Sequence, residues 1–244
     1  MRIPRIHLPA PLAVGMTVSL TDNGFNHVVQ VLRLKPGAPL ILFNGEGGEF
    51  SATLDRVERR GAAATIEAFS TREAETPLRV RLVQGISKGE RMDYTLQKAV
   101  ELGVSAILPL LTERSVVNLP RDRLDKRLLH WRGVVSGACE QCGRNRLPPV
   151  LEPLEFRTWL GDSPISGLGL ALDPLATQGL RELARPAAAL TLLIGPEGGL
   201  STAEIALAEA AGFSGIRLGP RVLRTETAAV AALAALQALW GDLG

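Results

Sequence analysis

Residues 192–227 decide the fold of this chain and read LLIGPEGGLSTAEIALAEAAGFSGIRLGPRVLRTET. Two loops within them each follow a short apolar run, the first over residues 195–199 (GPEGG) and the second over residues 219–224 (GPRVLR). Glycine and proline allow tight turns, and glycine also lets a ligand approach the backbone N–H and C=O groups closely. We therefore expect both loops to form binding surfaces.

Helix-start signals follow both loops. Ser201 and Glu204 have the spacing of a capping box, and Gly212 ends the helix that this box begins. Thr225 is placed to cap a second helix after the second loop. The order strand, glycine loop, helix is typical of α/β sites that hold a nucleotide-like ligand at the carboxyl ends of parallel strands.

The first loop carries neither a phosphate-binding nor a dinucleotide-binding signature. A phosphate-binding loop requires G-x-x-x-x-G-K-[ST], and no lysine stands near residues 195–199. The G-x-G-x-x-G spacing of dinucleotide-binding folds is also missing, which disfavours a hydride-transferring enzyme. The one charged residue of this loop is Glu197. A cationic or zwitterionic ligand held mainly by the backbone fits better than a polyphosphate.

Several motifs resemble one known family. GPEGG and L-G-x-R-x-L-R-T-E-T-A at residues 218–228 resemble the SPOUT methyltransferases, and specifically the bacterial uridine N3-methyltransferases of 16S ribosomal RNA. Five motifs further upstream also resemble this family. They are Arg91-Met92-Asp93, Gln97-Lys98-Ala99, Glu101-Leu102-Gly103-Val104, Thr112-Glu113-Arg114-Ser115-Val116 and Glu140-Gln141-Cys142-Gly143-Arg144. The resemblance spans nearly the whole chain.

The resemblance implies a C-terminal trefoil knot in which the two loops surround one S-adenosylmethionine. Carried onto this chain, the expected cofactor-binding residues are Ile194, Gly195, Pro196, Glu197, Gly198, Gly199, Leu218, Gly219, Arg221, Leu223, Arg224 and Thr225. Methylation of uridine N3 requires a proton acceptor, and a donor or cation near the uracil oxygens. Arg224 is the candidate for stabilising that charge. Glu226 is a candidate base, although an acid in a first helical turn is also explained by the helix dipole.

Composition places the chain among cytosolic globular proteins. It has 244 residues, of which 46% are hydrophobic, and its N-terminus has no uninterrupted apolar run of the signal-peptide or membrane-spanning kind. We therefore expect a cytoplasmic protein with no membrane partner. Cys139 and Cys142 form a C-x-x-C without a second pair or a flanking histidine, so they are expected to be core thiols, and no metal site is expected.

The positive charge is concentrated in one part of the chain. Basic and acidic residues balance over residues 1–76, whereas residues 77–150 carry a net charge of +6 and residues 151–244 a net charge of −4. This asymmetry indicates a local basic face that could meet phosphates, with ordinary solvated helix faces as the alternative. The resemblance implies RNA contacts by Arg2, Arg5, Arg33 and Lys35. Together with a basic helix end it adds Glu140, Gln141, Arg144 and Arg146, and the further candidates Lys88, Arg91 and Arg114 stand near predicted strand ends.

Two domains are predicted. Residues 1–72 alternate short strand-like runs with turn signals and predict a small β-barrel, which the resemblance identifies as a PUA-like RNA-binding domain. Residues 73–77 form a polar linker that ends in a proline, and residues 78–244 alternate strands and helices, as expected of an α/β domain with a mostly parallel sheet. The strands are expected at residues 17–20, 39–43, 49–54, 64–69, 79–84, 106–110, 169–172, 190–194 and 215–218.

Three predicted helices have apolar faces that can be read from the sequence. Residues 26–34 predict one short helix with Val28, Val31 and Leu32 on a single face. A second apolar stripe comprises Leu124, Leu128, Trp131, Val135, Ala138 and Cys142. Residues 228–240 are apolar on every side except Gln237, which predicts a buried helix between the sheet and the partner subunit of a homodimer.

Two other functions remain open from the sequence. The chain could methylate a ribose 2′-oxygen or another base, or it could be a non-catalytic RNA-binding ribosome-assembly factor. The resemblance favours N3 methylation of a specific uridine on the assembled small ribosomal subunit.

Overall fold

The computed structural model describes residues 3–115, 121–162, 167–187 and 189–244. The chain forms two compact units. The first comprises Met1–Glu75 and Ser136–Leu147, and the second comprises Thr76–Val135 and Pro148–Gly244. The sequence prediction placed a linker at residues 73–77 and did not anticipate that Ser136–Leu147 groups with the first unit.

The first unit is built on a five-stranded sheet. Its strands are β1 Arg5–His7, β2 Thr17–Ser19, β3 Pro39–Phe43, β4 Glu49–Glu58 and β5 Gly61–Ser70, in the order β1-β3-β4-β5-β2. β1 runs parallel to β3, and the other three pairs are antiparallel. Alternation of apolar and polar residues along these strands gives a core that includes Ile6, Leu40, Leu42, Leu54 and Ile66. The sequence predicted four of these strands and missed β1.

The helical connection between β2 and β3 differs from the prediction. It begins as helix α1, Asp22–Phe25, where the Thr21 hydroxyl accepts a hydrogen bond from the Gly24 N–H, and continues as a π-helical turn, Asn26–Val31. Val28 is buried, but Val31 and Leu32 are exposed, so the predicted single apolar face is wrong. The wider π-helical turn changes the angle between successive side chains and rotates Val31 to solvent.

The second unit contains a six-stranded sheet in which every described pair is parallel. Its strands are β6 Val80–Gly85, β7 Ala106–Leu111, β8 Leu154–Glu155, β9 Leu168–Leu172, β10 Leu190–Ile194 and β11 Phe213–Ile216, in the order β11-β9-β10-β6-β7-β8. β10 lies inside the sheet, and all five of its residues are buried. The mostly parallel sheet predicted from the sequence is confirmed.

Five helices accompany this sheet: α2 Glu90–Glu101, α3 Arg121–Cys142, α4 Phe156–Asp162, α5 Thr202–Ala210 and α6 Thr225–Trp240. A short 3₁₀ turn, Leu180–Glu182, lies between β9 and β10. The predicted stripe of α3 is confirmed, since Leu128, Trp131, Val135 and Ala138 are buried. Among the described residues, no helix has the length and apolarity needed to cross a membrane.

Two predicted details of the second unit are wrong, and the role of Gln237 was not predicted. β11 ends at Ile216, before the predicted end at residue 218, because the chain leaves the sheet where the second loop begins. α6 starts at Thr225, with Arg224 in the N-cap position, so Thr225 is the first helical residue and not the cap. Gln237, the one polar residue of the predicted apolar helix, is buried, where its amide bonds Thr76 and the Leu102 carbonyl, whereas Leu239 is exposed.

Candidate functional site

A cavity of about 410 Å³ opens at the carboxyl ends of β9, β10 and β11. Its lining comes from the segments that follow these three strands, as expected for a ligand site in a parallel α/β sheet. The lining residues are Arg114, Leu172, Asp173, Pro174, Leu175, Ile194, Gly195, Pro196, Glu197, Gly198, Gly199, Leu200, Thr202, Ile205, Ile216, Arg217, Leu218, Arg221, Val222, Leu223, Thr225 and Ala228.

The cavity brings together both glycine loops found in the sequence. Among the predicted cofactor-binding residues, ten line it: Ile194, Gly195, Pro196, Glu197, Gly198, Gly199, Leu218, Arg221, Leu223 and Thr225. Gly219 and Arg224 belong to the second loop but not to the described lining, and Arg224 is exposed at the start of α6. The segment after β9, Leu172 to Leu175, was missed because no glycine or capping signal marks it.

The first loop is a tight turn that requires glycine. The Gly199 N–H donates to the Pro196 carbonyl at 2.9 Å, and Gly199 has a φ of +69°. A Cβ on Gly195 would lie 2.6 Å from the Leu200 nitrogen, so no larger residue fits there without moving backbone. The apolar and glycine-rich sequence therefore folds into a wall whose backbone faces the cavity closely.

Thr225 connects the second loop to the first. Its hydroxyl donates to the Gly195 carbonyl at 2.7 Å and lies 2.9 Å from Nε2 of Gln84, the penultimate residue of β6. Thr225 and Gln84 are both buried. The helix-capping role predicted for Thr225 is thus replaced by a contact between the two loops. Gln84 was missed because a lone glutamine within an apolar strand gives no signal in the sequence.

Glu197 is held in its ionised form by two donors, one just before α2 and one in its first turn. Its Oε1 accepts from the Lys88 N–H at 3.0 Å and from Arg91 Nη1 at 2.9 Å. Burial alone would raise the pKa of this carboxyl, but the hydrogen bonds from Lys88 and Arg91 and the charge of Arg91 lower it below its usual value. Arg91, predicted to contact RNA, therefore contacts the first loop of the cavity.

Glu226, the candidate base, lies at the same edge. Its Oε1 is 4.0 Å from Nε of Arg91, and its Oε2 is buried with no hydrogen-bond partner among the described residues. Arg91 thus lies near two carboxylates, Glu197 of the first loop and Glu226 of the first turn of α6, and Glu226 is outside the described lining of the cavity.

Arg114 lies against the first loop from a third direction. Its Nη1 donates to the carbonyl oxygens of Gly198 at 3.0 Å and Leu200 at 3.3 Å, and its side chain lines the cavity. Arg114 was a candidate RNA contact in the sequence, and in the structure it forms part of the wall of this cavity. Lys88, another candidate RNA contact, is exposed and lies two residues before the start of α2.

The predicted capping box after the first loop is confirmed. The Ser201 hydroxyl accepts from the Glu204 N–H at 3.1 Å, and Oε2 of Glu204 accepts from the Ser201 N–H at 2.8 Å. The other oxygen of Glu204 accepts from the Glu113 N–H at 2.9 Å. One buried carboxylate therefore fixes both the start of α5 and the loop that carries Arg114.

The RNA candidates of the first unit fall into two groups. Arg5 and Arg144 are buried, and each pairs with a carboxylate, Glu49 and Glu75 respectively, which favours a structural role over phosphate contact. Glu140 is half-buried and accepts from the His7 N–H. Arg33, Lys35, Gln141 and Arg146 are exposed, and Arg2 lies outside the described residues.

His7 predicts a pH dependence of stability for the first unit. Its Nδ1 lies 3.0 Å from the Ser136 hydroxyl, and its ring packs on Phe43. Burial lowers the pKa of His7 below 6.5, more than the hydrogen bond to the Asn44 backbone raises it. The unfolded chain therefore binds a proton more readily, so folding stability is present above pH 6.5 and falls as the pH drops below it.

We expect the thermal unfolding midpoint to fall between pH 7.5 and about pH 5.5, and His7→Gln to reduce this fall, because glutamine can still bond Ser136 but does not titrate. His130→Gln is the matched control, since that histidine is exposed beside Asp93. An unchanged pH slope in the His7→Gln variant would contradict this assignment.

The two cysteines are placed as core or near-core thiols. Cys139 is buried, and burial raises the pKa of its thiol to about 12, so it is held as the neutral thiol; Cys142 is half-buried. Within the described part of the chain, no group of three or more His, Cys, Asp or Glu side chains has the arrangement of a metal site.

Comparison with known families now adds to this geometry. Residues 74–237 match an RNA methyltransferase domain, and residues 20–67 match an RNA methyltransferase PUA domain. The chain belongs to the RNA methyltransferase family. Its relatives include the ribosomal RNA small subunit methyltransferase E of Buchnera aphidicola, 36% identical over 99% of this chain and 98% of the relative, and that of Bacillus subtilis, 31% identical over 90% and 89%.

Solved structures of RNA methyltransferase relatives superpose over their full length. A methyltransferase from Legionella pneumophila in complex with S-adenosylmethionine has a TM-score of 0.96 at 41% identity, and covers 100% of both chains. A ribosomal RNA small subunit methyltransferase E from Neisseria gonorrhoeae, bound to S-adenosylmethionine, has a TM-score of 0.92 at 44% identity and the same coverage. The predicted order of a PUA-like domain before an α/β methyltransferase domain with a mostly parallel sheet is confirmed, and the trefoil knot stays a prediction.

Proposed function

We propose that this protein transfers a methyl group from S-adenosylmethionine to N3 of a specific uridine in 16S ribosomal RNA, on the assembled small subunit in the cytoplasm. The observation that carries the proposal is the single cavity bounded by both glycine loops, in a chain whose relatives of 41% and 44% identity hold this donor.

The cavity suits this donor in size and chemistry. Its volume of about 410 Å³ lies within the range of small-molecule sites. Ile194, Leu218 and Leu223 give apolar surface for an adenine ring, and the Gly195 to Gly199 backbone offers polar groups at close range. The lining carries both signs of charge, with the carboxylates of Asp173 and Glu197 and the guanidinium groups of Arg114, Arg217 and Arg221. This mixture suits a donor that has ammonium and sulfonium groups as well as a carboxylate.

The donor supplies a methyl group that is already activated by its sulfonium. This chain must hold the uracil ring with N3 in line with that methyl group and accept the N3 proton. Arg224, exposed beside the cavity-lining residues Leu223 and Thr225, is placed to stabilise the negative charge on the uracil oxygens. Glu226, whose Oε2 is buried without a bonded partner among the described residues, is the candidate acceptor of the proton.

Arg224→Ala is expected to lower kcat roughly a hundred- to a thousandfold, the effect of removing one charge-stabilising group. The affinity for S-adenosylmethionine should change little, because Arg224 is exposed and outside the described lining of the cavity. Steady-state methylation assays and titration calorimetry separate the two effects. Arg221→Ala is the matched comparison, since Arg221 lines the cavity and its loss should weaken donor binding. A wild-type kcat for Arg224→Ala would remove its assignment.

RNA contact is proposed for the exposed cations of the second unit, Lys88 and Arg114, and of the first unit, Arg33, Lys35 and Arg146. Contacts to phosphates position RNA without reading its sequence and weaken as salt rises. Arg5 and Arg144 contribute indirectly in this proposal, because their buried ion pairs hold the first unit together.

The identity of the methylated nucleoside tests the proposed reaction. Small ribosomal subunits and free 16S RNA, both lacking the modification, would be incubated with the protein and S-adenosylmethionine, then digested to nucleosides for mass spectrometry. We expect 3-methyluridine, formed faster on subunits. A 2′-O-methylated nucleoside would overturn the proposed position, and no product together with no heat of donor binding would favour a non-catalytic assembly factor.

We also propose a homodimer. The outer side of α6 carries Val230, Ala231, Ala234 and Ala235, which are half-buried in one chain, and Leu239, which is exposed. An apolar face of this kind is suited to burial against a second copy. Light scattering at micromolar concentration should give twice the monomer mass, and a monomer would count against the proposal.

A further inference from the structure

Gln84 has no role in the reaction described so far, yet it contacts both loops of the cavity. It stands near the carboxyl end of β6, pairs with Ile194 in the neighbouring strand β10, and is completely buried. We infer that Gln84 is a positioning residue for methyl transfer, which ties the two glycine loops together behind the donor.

The contact is a short chain of hydrogen bonds. Nε2 of Gln84 donates to the Thr225 hydroxyl at 2.9 Å, and that hydroxyl donates to the Gly195 carbonyl at 2.7 Å. The same Nε2 lies 3.4 Å from the Gly195 carbonyl and 3.1 Å from the Gly85 carbonyl. Three acceptors around one nitrogen fix the orientation of the amide, because a rotated amide would face two carbonyl oxygens with its own oxygen.

The oxygen of this amide indicates that an apolar side chain would be more favourable than glutamine for packing alone. Oε1 of Gln84 is buried with no hydrogen-bond partner among the described residues. A buried polar atom left unpaired destabilises the folded protein, whereas an apolar side chain of similar shape carries no such penalty. The amide is therefore best explained by what Nε2 holds in place, the relative position of Gly195 and Thr225.

A close backbone approach brings the first loop to the same point. A Cβ on Gly85 would lie 2.5 Å from the Pro196 nitrogen, so the end of β6 and the first loop are in direct contact. At the solvent side, Arg91 contacts Glu197 at 2.9 Å and approaches Glu226 at 4.0 Å. The segment from Gln84 to Arg91 thus contacts the first loop and the start of α6 at two points. Gln84 makes these contacts in the interior, and Arg91 makes them near the solvent.

The consequence for the reaction rests on the proposed function. Gly195 belongs to the loop expected to hold the donor, and Thr225 directly follows Arg224, which is proposed to hold the uracil ring. A fixed distance between Gly195 and Thr225 therefore fixes the distance between the two reactants. Small errors in such alignment reduce rates strongly.

The test compares Gln84→Met, which keeps the length of the side chain and removes the donor, with Gln97→Met, an exposed glutamine of α2. Gln84→Met should raise the Kd for S-adenosylmethionine about five- to twentyfold and lower single-turnover methylation more than tenfold, with an unfolding midpoint equal to or above that of the wild type. Gln97→Met should change none of these. Wild-type Kd and rate in a folded Gln84→Met protein would overturn the inference.

A second pair of variants decides the matter if Gln84→Met does not fold. Thr225→Val keeps the shape and removes the hydroxyl, and Thr225→Ser keeps the hydroxyl. Valine should reproduce the losses of Gln84→Met, and serine should recover most of them; equal behaviour of the two would overturn the inference. The double variant Gln84→Met/Thr225→Val should be no worse than either single variant, because both remove one hydrogen-bond chain.

Failure of the inference and failure of the proposed function are distinguishable. The Kd for the donor is measured without RNA, so it tests Gln84 even if the wild-type product is another methylated nucleoside. A wild-type protein with no affinity for the donor would instead overturn the proposed function.

Discussion

Gly195→Ala is expected to abolish measurable binding of S-adenosylmethionine, and methylation with it. The added Cβ would lie 2.6 Å from the Leu200 nitrogen and 2.7 Å from the Gly199 carbonyl carbon. Both are backbone atoms of the same turn, which cannot rotate away as a side chain can, so the loop must open and its wall of the cavity must move. We expect the Kd to rise by about a hundredfold or more, which corresponds to roughly 2.7 kcal/mol of binding free energy.

Titration calorimetry measures this effect, and thermal unfolding shows whether the variant is folded. The matched control is Gly133→Ala in α3, where an added Cβ meets nothing within 4 Å. This control should bind the donor as the wild type does, and it should gain up to about 1 kcal/mol of stability, because alanine favours the helix over glycine. A folded Gly195→Ala protein with the wild-type Kd would show that the first loop does not bind the donor.

Arg144→Met is expected to destabilise the first unit by roughly 2 kcal/mol, the cost of removing hydrogen bonds to a charged, partly buried group. Arg144 is 4% exposed, and its guanidinium bonds both oxygens of Glu75, at 3.0 Å from Nε and 2.5 Å from Nη2. Methionine keeps much of the volume but removes both hydrogen bonds, so the Glu75 carboxylate, whose side chain is 25% exposed, keeps only water as a partner in place of Arg144.

Chemical denaturation measures the loss. Arg56→Met is the matched control, because Arg56 and Glu58 form an exposed pair at 3.4 Å, and exposed pairs contribute little. Glu75→Gln should weaken the first unit as well, since it removes the charge from the other side of the same pair. If Arg144→Met leaves stability unchanged but weakens RNA binding, Arg144 is an RNA contact after all, as its sequence context suggested.

Local chemistry made much of the second unit predictable. β10 has its predicted bounds because its five apolar or β-branched residues lie between an alanine-rich segment that contains Pro186 and a glycine loop. The capping box of Ser201 and Glu204 has its predicted bonds, because cap and N3 residue are three positions apart and their pairing is local. Both loops reach one cavity because they follow β10 and β11, two parallel strands that flank β9 and end at the same edge of the sheet.

Contacts between distant residues were not predictable. Thr225 bonds a carbonyl 30 positions earlier, and Gln84 bonds Thr225 from 141 positions away, so the sequence offered only the cap role for Thr225. Arg5 and Arg144 read as free cations because their partners, Glu49 and Glu75, are distant along the chain. Charge along a sequence shows where cations are, whereas burial and pairing decide whether they can meet phosphate.

Both carboxylate oxygens of Glu204 accept hydrogen bonds from backbone amides. One amide belongs to Ser201, at the start of α5, and the other belongs to Glu113, beside Arg114. Fraying of that first turn would therefore release two segments at once, and Arg114 would lose its anchor against the Gly198 carbonyl. Opening of the proposed donor site and unwinding of this helix end are therefore expected to be one cooperative event. The amide protons of the two segments should then exchange with solvent together.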